Sequence, residues 1–202
     1  MSRPRESPTG SPDGPGEGRD PGEPEPVGPA ATETTSPETT PDGRFLIVDG
    51  RRWRASDPSI PDALRSELVH ELMDARRAVR RDPTTARPRV QDAKVALGER
   101  GEPWWEPTDE GRRVRLAAAI RALLRHRDGS TICPSDAARC VGGEDWRALM
   151  PLTREVAREL SVAGDIRVTS KGEDVDMSEA RGPVRLAPGP RIIPRSADGH
   201  SA

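Results

Sequence analysis

Apolar side chains recur along this chain with two different periods, and the changes of period mark its elements. Arg44-Phe45-Leu46-Ile47-Val48, Asp49-Gly50 and Arg51-Arg52-Trp53-Arg54 place two strand-forming runs around a pair suited to positive φ, which predicts a two-stranded hairpin. Leu64, Leu68, Leu72, Ala75 and Val79 then follow helical spacing, after Ser59, Pro61 and Asp62 as start signals. This predicts a helix from Ser59 to about Arg81, stopped by Asp82-Pro83. Val90, Ala93 and Leu97 mark a second helix ending at Gly98. The two helices are expected to pair antiparallel and cover the hairpin. Gly101 to Pro107 reads as an extended connector whose Trp104-Trp105 pair clips this module to the next.

The helical period returns at Thr108-Asp109-Glu110 with Leu116, Ile120, Leu123 and Leu124, running to His126. A short extended piece, Ser130 to Ile132, precedes a helix opened by Cys133-Pro134-Ser135-Asp136 and closed by Val141-Gly142-Gly143. A third helix is expected from about Asp145 to Ala163, burying Leu149, Leu152, Val156 and Leu160, with Pro151 kinking it or marking a late start. Ile166 to Thr169 is a strand, Ser170 to Gly182 a polar loop, and Pro183 to Leu186 a second strand. Helix, short strand, helix, helix, strand, loop, strand is the order of a winged helix-turn-helix domain. The expected fold class is therefore α+β: a hairpin with two helices over 43–107, then a winged helix over 108–187.

Composition narrows this picture at both ends. Residues 1–42 hold 10 Pro and 6 Gly with almost no apolar side chains, so they cannot offset their ordering entropy and are expected to be disordered. Residues 188–202 read the same way. The remaining stretch is rich enough in apolar residues for a modest core in two parts. Its longest apolar runs, Leu116 to Ile120 and Phe45 to Val48, fall far short of the ~20 residues of a membrane span. Met1 to Glu6 lead into no apolar segment, so no secretory signal is read and the cytoplasm is the expected location. Cys133 and Cys140 are then reduced thiols.

The net charge of -2 combines unlike parts: the first 42 residues carry 9 acids against 3 Arg, and 43–187 carry 27 bases against 24 acids. Of the 32 basic residues only Lys94 and Lys171 are Lys, and the chain has no Asn and no Tyr, the usage of a GC-rich coding sequence. Arg identity is thus weak support for phosphate or guanine recognition.

Several motifs carry candidate chemistry. Arg147, Arg154 and Arg158, at offsets of 7 and 4, form a stripe on the third helix suited to a DNA groove, with Lys171 on the wing. Glu155 and Glu159 flank that stripe, the wing also holds Glu173, Asp174 and Asp176, and Asp109 to Ala187 has 14 bases against 13 acids, a small drive for counterion release. Cys133 sits at a helix start, where a thiolate is favoured, with Cys140 seven residues on. A redox or metal role competes there with plain core packing, and His70, His126 and His200 show no ligand spacing with the pair. His70 and Asp74 read as a solvated pair, and Arg76-Arg77 with Arg80-Arg81 as a basic helix end. The four Trp read as core anchors rather than stacking platforms. No phosphate loop, nucleophile elbow or zinc-protease pair occurs, so no catalytic, cofactor or metal site and no small-molecule substrate is expected, and the chain reads as a non-enzyme.

Thr131 to Arg139, Trp146 to Pro151, Val168 to Gly172 and Ala180 to Leu186 resemble a bacterial family of unknown function, number 3253 in the domain-of-unknown-function series, over about Val114 to Ala187. Val48 to Ala55, Asp57 to Pro61 and Lys94 to Trp105 resemble small actinobacterial proteins labelled biopolymer transporter Tol. The first resemblance supports the fold and implies no activity. Two functional readings stand: a DNA-binding or regulatory protein acting through Arg147, Arg154 and Arg158, and a protein-interaction adaptor. A continuous positive face across the third helix and wing marks the first, and an exposed apolar patch including Trp104 or Trp105 marks the second.

Overall fold

A computed structural model describes residues 38–193. The expectations of disorder for 1–42 and 188–202 fall mostly outside this range, on 1–37 and 194–202. Within it the order reaches further than composition suggests. Glu38–Thr39 (β1) pairs antiparallel with Phe45–Val48 (β2), aligning Glu38 with Ile47. Such an edge strand is held by backbone bonds and needs no apolar side chain. At the other end, Arg191 N–H donates to the carbonyl of Gly164, and Ile192 packs against the core.

The hairpin forms as the sequence dictates. Asp49 (φ 50°) and Gly50 (φ 71°) make the tight turn, and Arg51–Arg54 (β3) returns beside β2 in the order β1-β2-β3. The helices do not cover it. Asp62–Ala78 (α1) and Pro83–Ala96 (α2) pack on each other and on Asp109–His126 (α3), while no residue of β2 or β3 is fully buried. Alternation across β2 and β3 puts aromatic and Arg side chains on one side, and these cluster on the connector instead. Phe45 meets Trp105 edge-on at 5.6 Å, Arg52 lies 4.0 Å over Phe45, and Arg44 lies 4.8 Å over Trp105.

Helix boundaries follow local chemistry. Ser59 does not cap α1; its hydroxyl and amide both donate to Asp57 in a tight turn, and Pro61 precedes the helix. Asp82 ends the first helical run and also caps α2, accepting from the amides of Thr84 and Thr85. Gly98 (φ 81°) turns the chain out of α2 where the Trp104 ring comes within 2.9 Å of the place a Cβ would occupy. Both conformation and space therefore require glycine there.

After α3 come an isolated bridge of Ile132 to Leu186, Pro134–Gly142 (α4), a single turn Gly143–Asp145, and Met150–Ala163 (α5). Ile166–Ser170 (β4), Glu173–Asp174 (β5) and Arg185–Pro188 (β6) complete the chain as a sheet of order β5-β4-β6. The third helix thus starts at Met150 rather than Asp145, which puts Pro151 in the first turn, where its missing N–H leaves no helical hydrogen bond unmade. The polar loop after β4 is less solvated than expected: Met177 is buried, and Val175 packs against the core.

One buried cluster runs through α1, α2, α3, α4, α5, β4 and β6. Helix α3 joins its parts, burying Ala118, Ala119 and Ala122 beside the expected Leu116, Ile120, Leu123 and Leu124. Arginines on this helix and at its end reach outward to other elements. Arg113 pairs with Glu155 and Glu159 of α5, Arg121 with Asp165, and Arg125 with Asp92 of α2. Arg127 joins Glu67 of α1 to Asp136 of α4. Arg115, also buried, pairs with Asp57 at 2.7 Å and donates to the carbonyls of Ala96 and Cys140. Glu71 and Arg89, both buried, form a bidentate pair that ties α1 to α2.

Candidate partner interface

The sequence-chosen Arg stripe is divided by the structure. Arg147 lies in the turn before α5, stacked 4.6 Å over Trp146, whose ring also has Arg139 at 4.7 Å. Arg154 and Arg158 lie on α5 itself. The Arg154 guanidinium donates to the carbonyl of Ala180, so the loop after β5 engages it. Arg158 is exposed, with the Asp176 carboxylate of the same loop close enough to feel its charge. Glu155 and Glu159 turn away from these arginines toward Arg113. Lys171 is exposed at the tip of the β4–β5 turn, at φ 53°, and the nearby Arg167 is paired with Asp174. The surface formed by α5, the β4–β5 turn and the loop after β5 is a mosaic of both signs. It is not a continuous positive face.

The thiols are separated by environment. Cys133 is half-buried, and its sulfur accepts the Ser135 hydroxyl at 2.9 Å. Cys140 is buried against α3, and burial pushes its thiol up to about 12. It therefore stays protonated where an ordinary thiol, near ~8.5, ionises. Iodoacetamide applied to the native chain at about pH 8.5 is expected to label Cys133 and spare Cys140, read by peptide mass spectrometry. Equal labelling would show that Cys140 opens to solvent. No group of three or more metal-ligating side chains occurs among the described residues. His70 stacks on His126 with ring centroids 5.8 Å apart, and Asp74 pairs with Arg77.

A groove that sequence reasoning missed lies beside the hairpin. The register aligns Leu46 with Trp53 and Val48 with Arg51, so these four side chains share the face opposite Phe45. They form one wall of a cleft of about 780 Å³, whose other wall carries Arg76 from α1 and Lys94 from α2; Asp49, Arg54 and Glu99 also line it, so four bases face two acids. Trp53 is 51% exposed and Val48 41%. This corrects the core-anchor expectation for Trp53. The other indoles are half-buried, and Trp104 Nε1–H donates to the carbonyl of Ala55. Arg51 and Arg76 have no acidic partner within 4 Å among the described residues, whereas Lys94 lies 3.6 Å from Glu99. The alternation of Leu46, Val48, Arg51 and Trp53 was the available signal: strand period puts them on one face. Which face would be covered was not written in that alternation.

A second groove, of about 730 Å³, runs between the connector, α3 and the start of α5. Both of its arginines are paired within it, Arg112 with Asp109 and Arg113 with Glu155. The hairpin groove differs in presenting free positive charge beside exposed apolar surface.

Residues 113–188 match the family described as "Protein of unknown function (DUF3253)", a span that begins inside α3 and ends with β6. The match agrees with the resemblance read from the C-terminal motifs and leaves 43–107, where the groove lies, outside it. No curated protein matches the chain. Among the described residues no helix is long and apolar enough to cross a membrane.

Proposed function

We propose that this is a cytoplasmic protein-interaction module, in which a winged helix forms the structural body and the hairpin groove captures a protein partner. One observation carries this reading: the exposed Trp53 and Val48 sit beside Arg51 and Arg76, two cations without acidic partners. A half-exposed Trp is a large apolar surface left in water, and Trp and Arg are the side chains from which partner hot spots are most often built. The DNA-binding reading has the order of α3, α4, α5, β4 and β6 in its favour, which is that of a winged helix. Its electrostatics oppose it. Arg154 serves the chain's own loop, the Asp176 carboxylate lies close enough to Arg158 to feel its charge, and the wing is acidic, so few phosphates would be neutralised.

A photo-crosslinking amino acid placed at position 53, in cells making the full chain, is expected to give protein adducts, while the same group at Arg158 gives none. Adducts to DNA at position 158, together with salt-dependent binding of a duplex by fluorescence anisotropy, would instead establish the DNA reading.

A further inference from the structure

We infer that the groove takes its partner as an acidic, extended segment that adds to the open edge of β3. The inference rests on the docking function proposed above and names the chemistry of the occupant.

The backbone supplies the first argument. β3 is the last strand of the β1-β2-β3 sheet and has no second neighbour among the described residues. In a hairpin closed by two residues, the residues flanking the turn exchange hydrogen bonds, and bonded pairs recur at every second position. Ala55 N–H donating to the Arg44 carbonyl at 2.9 Å fixes that phase. Arg51, Trp53 and Ala55 therefore bond toward β2, and Arg52 and Arg54 direct their N–H and C=O groups outward. Two residues of unpaired backbone form a template for an incoming strand.

Side chains supply the second. A strand laid against β3 has one set of alternate residues over the groove, between Trp53 and Arg51 on one wall and Arg76 and Lys94 on the other. An aliphatic residue fits against Trp53, and a carboxylate two positions along reaches Arg51 or Arg76. The opposite set lies beside Arg52, the cation available there, since Arg54 already donates to the carbonyls of Gly101 and Glu102. Charge also excludes a second copy of this chain: β3 reads Arg-Arg-Trp-Arg, and aligning it with itself sets like charges side by side. Single-stranded nucleic acid fits less well. Base stacking needs successive open aromatic faces, and here Phe45 and Trp105 already carry Arg52, Arg44 and Arg54.

The test uses the full chain and a fluorescein-labelled peptide, Glu-Glu-Leu-Glu-Val-Glu-Glu, in anisotropy titrations, with three competitors: the same peptide N-methylated at alternate residues, its Lys-for-Glu counterpart, and an oligo-dT strand. Saturable binding is expected, weakened ~tenfold or more by N-methylation through loss of two or three strand bonds. Trp53→Ala and Arg76→Glu should each weaken binding ~tenfold while leaving the urea midpoint unchanged, since both side chains are exposed. Binding of the N-methylated peptide as tightly as the parent would overturn strand addition. So would absence of peptide binding, or a preference for oligo-dT. If protein crosslinks form at position 53 while the peptide fails to bind, the strand inference falls and the docking function stands; if neither occurs, both fall.

Discussion

Replacing Arg89 with Ala is expected to destabilise the fold by about 3–5 kcal/mol, more than any surface substitution in the chain. Arg89 is 2% exposed and Glu71 not at all, and the guanidinium holds both carboxylate oxygens, Nε to Oε1 at 2.8 Å and Nη2 to Oε2 at 3.1 Å. Removing the Arg leaves a carboxylate buried without its cation, and the cost of that desolvated charge exceeds whatever the intact pair contributes. The double variant Glu71→Leu with Arg89→Met should recover most of the loss, because both charges then leave the interior together and their volume is kept. Urea denaturation of the two single variants and the double variant measures this directly. A single-variant loss below ~1 kcal/mol would mean that water reaches the pair.

Leu123→Ala is expected to cost about 2–5 kcal/mol, the range for a fully buried Leu whose cavity is lined by several elements. The more telling result concerns where the loss appears. α3 packs against α1 and α2 on one side and α4 and α5 on the other, within one buried cluster. The fluorescence of Trp104 and Trp105, near the hairpin, and that of Trp146, before α5, should therefore lose their native signals at one shared, lowered denaturant midpoint. Single-Trp reporter variants carry the measurement. Two separated midpoints would show that the hairpin and its helices unfold apart from the rest.

Much of this architecture was legible in the sequence because it rests on local chemistry. Asp49-Gly50 fixed the hairpin turn through positive φ, Thr108 capped α3 by accepting from the Gly111 amide, and Gly164 closed α5 at φ 83°. Where one residue allowed two readings, the structure chose between them. Pro151, read as a kink or a late start, proved to be the start, which left Arg147 in a turn and separated it from Arg154 and Arg158. The period-two pattern of the hairpin was correct, but the expected helical cover was not, since α1 and α2 spend their apolar stripes on α3.

The candidate site was less legible for a related reason. Arg is so abundant here that its spacing carries little information, and its roles divide only in three dimensions. Arg89 and Arg115 are interior ion-pair partners, Arg52 and Arg147 lie over aromatic rings, and Arg51 and Arg76 face the groove. Nothing within a few residues of any of them distinguishes these fates.

The sequence by itself determined the hairpin, the five helices and the strands β4 and β6 in their order, because caps, turns and apolar period act over a few residues and need no distant partner; β1 and β5, which rest on pairing alone, it did not. Only the tertiary structure decided which arginines are buried and paired, that α3 unites the core, and that Trp53 is left in water beside free positive charge. Those outcomes depend on contacts such as Arg115 with Asp57 and Arg127 with Glu67, between groups about sixty residues apart. Burial and pairing are properties of the assembled surface, and no local pattern of residues fixes them.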